Sequence, residues 1–326
     1  MTSHLERCWI CASTALLMQT AAHAQDKPAG YPIRPIRVIV AVQPGAGGDV
    51  MARAAAQMLA DKLGQSAVVD NRPGAGGVIA TDLVGRAAPD GYTLLSQGES
   101  VMIQAAMKRL PYDIMKALEP IASTSTQPYI MVAHPNLPVN NVKELVAYSQ
   151  NNSVTYSGGA GLGGTVHLGV QQFVTRSGAK LNFVPYKGSA PALTAAMGGE
   201  IHLAAGSSIA AASAIRTGKV RAFANLGPSR VSAFPELPTI AEQGFPGYKL
   251  TNQYYLWVPA GTAAPIAAAI NRIVGEGMHT PAMLQKLALD GSQPGERLAP
   301  AVLKTAVMRD YSELERLVNQ MNLKLQ

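Results

Sequence analysis

The chain has 326 residues, 27 Lys and Arg against 20 Asp and Glu, and a formal net charge of +7, which is long enough for two lobes with separate cores and basic enough to favour acidic small molecules. The basic residues are scattered singly and there are only five Phe, which argues against a nucleic-acid stacking surface. Both cysteines, Cys8 and Cys11, fall in the first dozen residues, so the rest of the chain has no disulfide, thiol nucleophile or cysteine-held metal.

Residues 1–24 read as a secretory signal peptide. Arg7 precedes the mostly apolar run Trp9–Met18, and Ala22-His23-Ala24 is a small-x-small cleavage site. Cleavage after Ala24 removes one basic and one acidic residue and leaves the charge unchanged. A soluble bacterial periplasmic protein is the expectation.

Strand and helix then alternate: strand 38–42, helix 49–63, strand 66–70, helix 77–87, strand 92–96, helix 101–108. Such alternation predicts βαβ units and a mainly parallel sheet. The run Val38–Val42 suits a strand buried on both faces. After it, Pro44-Gly45-Ala46-Gly47-Gly48 is a tight turn, and Asp49 is placed to cap the next helix, whose apolar positions are Val50, Ala54, Met58 and Leu59. A strand, a bare turn and a helix start aim N–H groups at one point and form an anion site. The P-G-A-G-G string recurs at 73–77, and Ser157–Thr165 is a third glycine turn, so three such turns suggest an anionic ligand held where strands stop.

Strands at 121–125 and 129–133 flank Gln127-Pro128, which reads as a hinge crossing. A second alternating run follows: helix 141–150, strand 154–157, helix 165–177, strand 181–184, helix 189–197, strand 201–205, helix 208–216 and strand 220–226. The stretch 228–246 is loop-rich, 254–258 is a strand, and helices at 264–279, 281–289 and 299–321 follow.

Gly159, Gly161 and Gly164 satisfy G-x-G-x-x-G, but no acidic residue stands about 20 positions on, so a dinucleotide site is not expected. There is no G-x-S-x-G elbow, P-loop or H-E-x-x-H, and the histidines after the signal segment lack paired acids. No catalytic residue, metal or cofactor is expected. His167 could touch ligand or close its turn. Lys187 could neutralise a carboxylate or be a surface lysine. Ser207 and Ser208 could donate to a ligand or cap the next helix. Ser96 and Gln97, ending their strand, face the same crevice if the sheet is parallel. Arg72 brackets its turn.

These strings together resemble the Bug family, the extracytoplasmic solute receptors of tripartite tricarboxylate transporters. The carriers are Pro44–Asp49, Val69–Gly77, Ala87–Leu95, Gly161-x-Gly163-x-x-x-His167-Leu168, Val184–Gly188, Gly198–Ile201 and Pro238–Glu242. The resemblance implies an α/β, two-lobed type II periplasmic-binding-protein fold of the Venus flytrap kind, each lobe a mainly parallel sheet flanked by helices. One lobe would be 31–125 plus 228–326 and the other 126–227.

It further implies a monomeric, non-enzymatic receptor. It would capture a small carboxylate between the lobes and deliver it to membrane transporter subunits, without nucleic acid. The alternative is a sensory module for a membrane signalling partner or, less well supported, a secreted enzyme. Carried onto this chain, the ligand positions are Ala41, Gln43, Gly45, Gly47 and Gly48 in one lobe. In the other they are Ser157, Gly158, Gly161, Gly163, Gly164 and Thr165, with His167 behind them; Ser96, Lys187 and Ser207 join from the reading of the residues. The family often has serine at Gly164 and aspartates at His202 and Gly206. Losing an acid there disfavours a ligand amine and points to a non-amino carboxylate.

Overall fold

A computed structural model describes residues 28–158, 164–186, 188–289 and 291–321; the signal segment lies outside them. The first part runs β1 (Ile36–Val40), α1 (Gly47–Leu63), β2 (Ala67–Asn71), α2 (Val78–Gly85), β3 (Thr93–Gly98), α3 (Ser100–Ala106), α4 (Ile114–Ala117) and β4 (Leu118–Ala133). The second runs α5 (Val142–Asn151), β5 (Val154–Gly158), α6 (Thr165–Ser177), β6 (Leu181–Phe183), α7 (Ser189–Gly198), β7 (Leu203–Ser207), α8 (Ser208–Arg216) and β8 (Arg221–Asn225). The chain then returns through β9 (Thr251–Pro259), α9 (Ala264–Met278), α10 (Pro281–Ala288), β10 (Gln293–Pro294) and α11 (Pro300–Met321).

Along the sheet the order is β2-β1-β3-β9-β4-β7-β5-β6, with β8 and β10 also paired to β4. The βαβ pairs are parallel, β1 with β2 and β3, and β5 with β6 and β7. The centre is antiparallel: β9 runs against β3 and β4, and β4 runs against β7 and β8. The apolar run of β1 is buried on both faces, as its composition predicts. Val38 and Val40 pack with Ala55 and Leu59 of α1 and with Ile270 of α9, while Ile39 packs with Trp257, Leu303 and Val307 on the other side. On α1 the buried apolar side chains are Met51, Ala52, Ala55, Ala56, Leu59 and Leu63; of the expected face Leu59 is buried, whereas Val50, Ala54 and Met58 are only half-buried. An alanine-rich helix leaves its inner face ambiguous to periodicity alone.

β4 replaces the two strands and hinge expected around Gln127-Pro128. Up to Pro128 it pairs with β9; from Tyr129 on it pairs with β7 and β8. Pro128 sits at this handover, and Pro120, the other proline of β4, sits beside a register shift in the β9 ladder; both are places where a missing N–H is tolerated. The segment before β9, assigned from the resemblance to the first lobe, packs on the second half of the sheet. Ile240, Tyr248 and Leu250 join the cluster around Tyr156 and Phe173, and Leu237 joins the opposite face with Ile130 and Val132.

Candidate functional site

A cavity of about 40 Å³, room for a few water molecules, lies where the two halves of the sheet face each other. One wall comes from the ends of β1 and β3 and the start of α1, with Ala41, Gln43, Gly47 and Ser96. The other brings Thr165, Gly188, Ser189 and Ser207, and the floor is Tyr129 of β4 with Asn252 and Tyr254 of β9. Helix starts dominate this lining: Gly47 opens α1, Ser100 opens α3, Thr165 opens α6, Ser189 opens α7, and Ser207 is the N-cap of α8. Each such end carries about half a unit of positive charge and unpaired N–H groups. No lining residue among those described is basic or acidic.

Of the expected positions, Ala41, Gln43, Gly47, Ser96, Thr165 and Ser207 line the cavity. Gly161, Gly163 and Lys187 lie outside the described residues. Gly45, Gly48, Ser157, Gly158, Gly164 and His167 are not among its walls. Gly45 has φ +83° and gives its N–H to the Asp49 carboxylate at 2.9 Å, so it shapes the turn and has no donor left for a ligand. Gly48 is covered by the Tyr254 ring, whose carbons stand where a Cβ would go. Gly158, at φ +151°, has the Ala205 backbone in that place, so β5 and β7 approach too closely for any side chain. His167 stacks its ring 4.4 Å from Phe183, and burial lowers its pKa, keeping it neutral.

Asp49 does not cap α1 as expected; it lies in the helix's first turn and reaches back. Besides Gly45 it accepts from Arg53 at 3.0 Å and from Asn71 at 2.9 Å. Burial alone would raise its pKa, but these hydrogen bonds and the Arg53 charge bring it below the ordinary value. The second P-G-A-G-G turn is likewise a buttress, which corrects the expectation that all three turns face the ligand. Gly74, Ala75, Gly76 and Gly77 all have positive φ. Gln104 donates to Gly76 O at 2.9 Å, and Thr81 bridges Gly77 O and Gln97 Oε1. Gln97 in turn donates to Ser100 at 2.8 Å, and Trp257 Nε1 donates to Gln97 O. Arg72 brackets its turn by pairing with Asp70 at 2.9 Å.

Of the two roles open to Ser207, capping and ligand contact, its side chain makes no capping hydrogen bond and it lines the cavity. Ser96 Oγ is buried, belongs to a residue that lines the cavity and has no partner among the described residues; a hydroxyl so placed asks for a guest or water. Sequence reasoning missed Tyr129, Asn252 and Tyr254. The signal was there for the last two, since they alternate on one face of a strand, but nothing short-range said that this face looks into a cavity.

Helix starts from both halves of an α/β sheet, meeting at a small cavity, are the architecture of a solute-binding protein. The chain belongs to the tripartite tricarboxylate transporter family receptors (TctC), whose profile matches residues 51–322; these are solute-binding receptors. It is 37% identical over 269 residues to Protein BugT of Bordetella pertussis, covering 81% of this chain and 82% of that one. Its fold matches the periplasmic binding protein BugD (TM-score 0.82, 29% identity, 91% and 100% coverage). It matches MatC from Rhodopseudomonas palustris with bound malate equally well (TM-score 0.82, 28% identity, 88% and 100% coverage).

Proposed function

We propose that the protein is a periplasmic receptor that captures a small non-amino organic carboxylate in this cavity and delivers it to a tripartite tricarboxylate-type membrane transporter. The observation that carries the reading is the convergence of five helix starts on a cavity with no charged side chain among its described lining residues. Such a site stabilises an anion through N–H and O–H donors alone, and the absence of an acidic liner leaves a ligand amine unmatched. The relatives support the chemistry, since MatC holds malate.

Two lobes, one built on β1, β2, β3 and β9 and the other on β5 to β8, would close on the ligand. The segment 234–250 would move with the second lobe, because its apolar side chains are seated there. Ala41, Gln43, Gly47 and Ser96 on one side and Thr165 and Ser207 on the other would touch the ligand. The signal segment is cleaved after Ala24 in this reading, and the receptor acts as a monomer.

Calorimetry against malate, longer aliphatic dicarboxylates, tricarboxylates, aromatic acids and amino acids tests this. At least one carboxylate is expected to bind well below millimolar, with malate preferred to aspartate. If every acid is weaker than about 1 mM, about −4 kcal/mol, the reading fails.

A further inference from the structure

A second, smaller void of about 10 Å³ lies beside the ligand cavity and shares two of its walls, Ser189 and Ser207. Its other walls include Ile130 and Val132 of β4, Leu193 of α7, Ala204 of β7 and Ala211 of α8. These five belong to one apolar cluster on that face of the sheet, so the void borders a packed core. Protein interiors leave few gaps of this size. This one is open because two of its walls are alanines, where longer side chains would fill it. Gly206 lines it too, and a Cβ there would stand 3.0 Å from Ser189 Cβ and crowd the shared wall.

The space suits one water molecule or one methyl group. A water needs two to four polar partners, and among the described lining residues only the two shared serines carry a polar side chain. A methyl group needs none and gains contacts with aliphatic atoms on several sides. The shared wall also fixes where on a ligand that methyl must be. Ser189 is the first residue of α7 and Ser207 is the N-cap of α8, and helix starts are where a carboxylate is held. A branch on the carbon next to a carboxylate so held is beside the void. A branch further along the ligand is not.

We propose that this void is a branch pocket of the binding site, which selects carboxylates carrying a methyl-sized aliphatic group on the carbon next to the carboxyl. This rests on the carboxylate-receptor reading above and narrows its ligand class. The pocket lies to one side of the cavity, so it also separates the two enantiomers of a branched acid. It sets an upper size as well: with Leu193 in place, an ethyl branch exceeds the space.

The test is calorimetry on the mature protein with matched acids: succinate, malate, glutarate and adipate, each against its 2-methyl derivative as separate enantiomers. Moving one methyl from water into a fitted apolar pocket is worth about 4- to 50-fold. In at least one pair, one enantiomer of the branched acid should bind tighter than its parent by that factor, and the other enantiomer should gain less. Ala211→Val fills the void, so the ratio of branched to parent affinity should fall to near one. Leu193→Ala widens it, so the 2-ethyl acid should overtake the 2-methyl acid, and this arm stands even where Ala211→Val does not fold. A general loss of stability would lower affinities without reordering them. Binding of any acid while no branched acid outbinds its parent overturns the proposal and leaves the receptor reading standing. So does an unchanged ratio in Ala211→Val or an unchanged order in Leu193→Ala. A wild-type protein that binds no acid overturns both.

Discussion

At the scale of single residues, the glycines divide into those that make room for a ligand and those that make room for the protein itself. Gly47 has ordinary helical backbone, and a Cβ there would press on the ends of two side chains, Gln127 Oε1 and, at 3.0 Å, Ser207 Oγ. Those ends can swing aside, so Gly47→Val should fold with near-normal stability and lose about 100-fold or more in affinity for the best acid. Calorimetry and urea unfolding on the same sample check the two halves of that statement. Gly158→Ala should behave oppositely. Its Cβ would overlap a carbonyl that belongs to the sheet, at a φ that side chains rarely adopt. A loss of about 3 kcal/mol or more, or failure to accumulate as soluble protein, is expected. Both glycines sit in strings that the sequence presents alike; only the neighbour across the gap, remote in the chain, separates them.

At the scale of elements, the loop between β3 and α3 carries a carboxyl with an unusual environment. Glu99 lies between the cavity residues Gly98 and Ser100. Burial and the nearby Asp310 push it up to about 8, against the Gln253 N–H and Lys249, which favour its charged form. Its field also reaches the phenols of Tyr129 and Tyr255. A folded pKa above the unfolded one means that the folded state holds an extra proton between roughly pH 4.5 and 8. Stability therefore declines as pH rises through that window and levels off above it. Glu99→Gln cannot ionise, so its melting temperature should exceed wild type at pH 8.5 and the gap should close near pH 5. Fluorimetric melting across the range decides it; parallel curves would show that Glu99 does not titrate as described.

The elements themselves were largely legible. Helix 165–177 and the three late helices follow from spacing and their glycine or proline borders. The strand pairing was not. Tyr254–Val258 reads as a strand, but that it runs antiparallel between β3 and β4 depends on partners more than a hundred residues away. The floor of the site was hidden for the same reason. Of the candidate site, the residues at the ends of β1, β3 and β7 could be read because glycine and serine mark strand ends. Tyr129 and Tyr254 could not, since an aromatic in a strand is ordinarily core, and Asn252 lies ahead of the strand read at 254–258.

At the scale of the whole molecule, the cavity walls already meet: Gly47 lies against Gln127 and Ser207, with about 40 Å³ left between the sides. A ligand bound there belongs to the folded state alone. At one hundred times its dissociation constant it adds about 2.7 kcal/mol to stability, which at this size should raise the melting temperature by several degrees. The rise should grow with the logarithm of concentration and be absent for acids that calorimetry scores as non-binders. A shift of equal size with every acid in the panel would mean ionic strength, not the cavity, is responsible.

The 16-residue strand Leu118–Ala133 passes through both halves, paired to β9 and then to β7 and β8, with register shifts at Pro120/Ala122, Ser123/Ser125 and Met131/Val132. A jaw hung on loose tethers can swing freely; one joined through a hydrogen-bonded ribbon can only twist and flex. Any parting of the walls must be stored as bending in that ribbon and recovered when it relaxes. A body joined in this way favours a small, sprung movement over a wide swing, and the proline marks where β4 changes partners from β9 to β7 and β8.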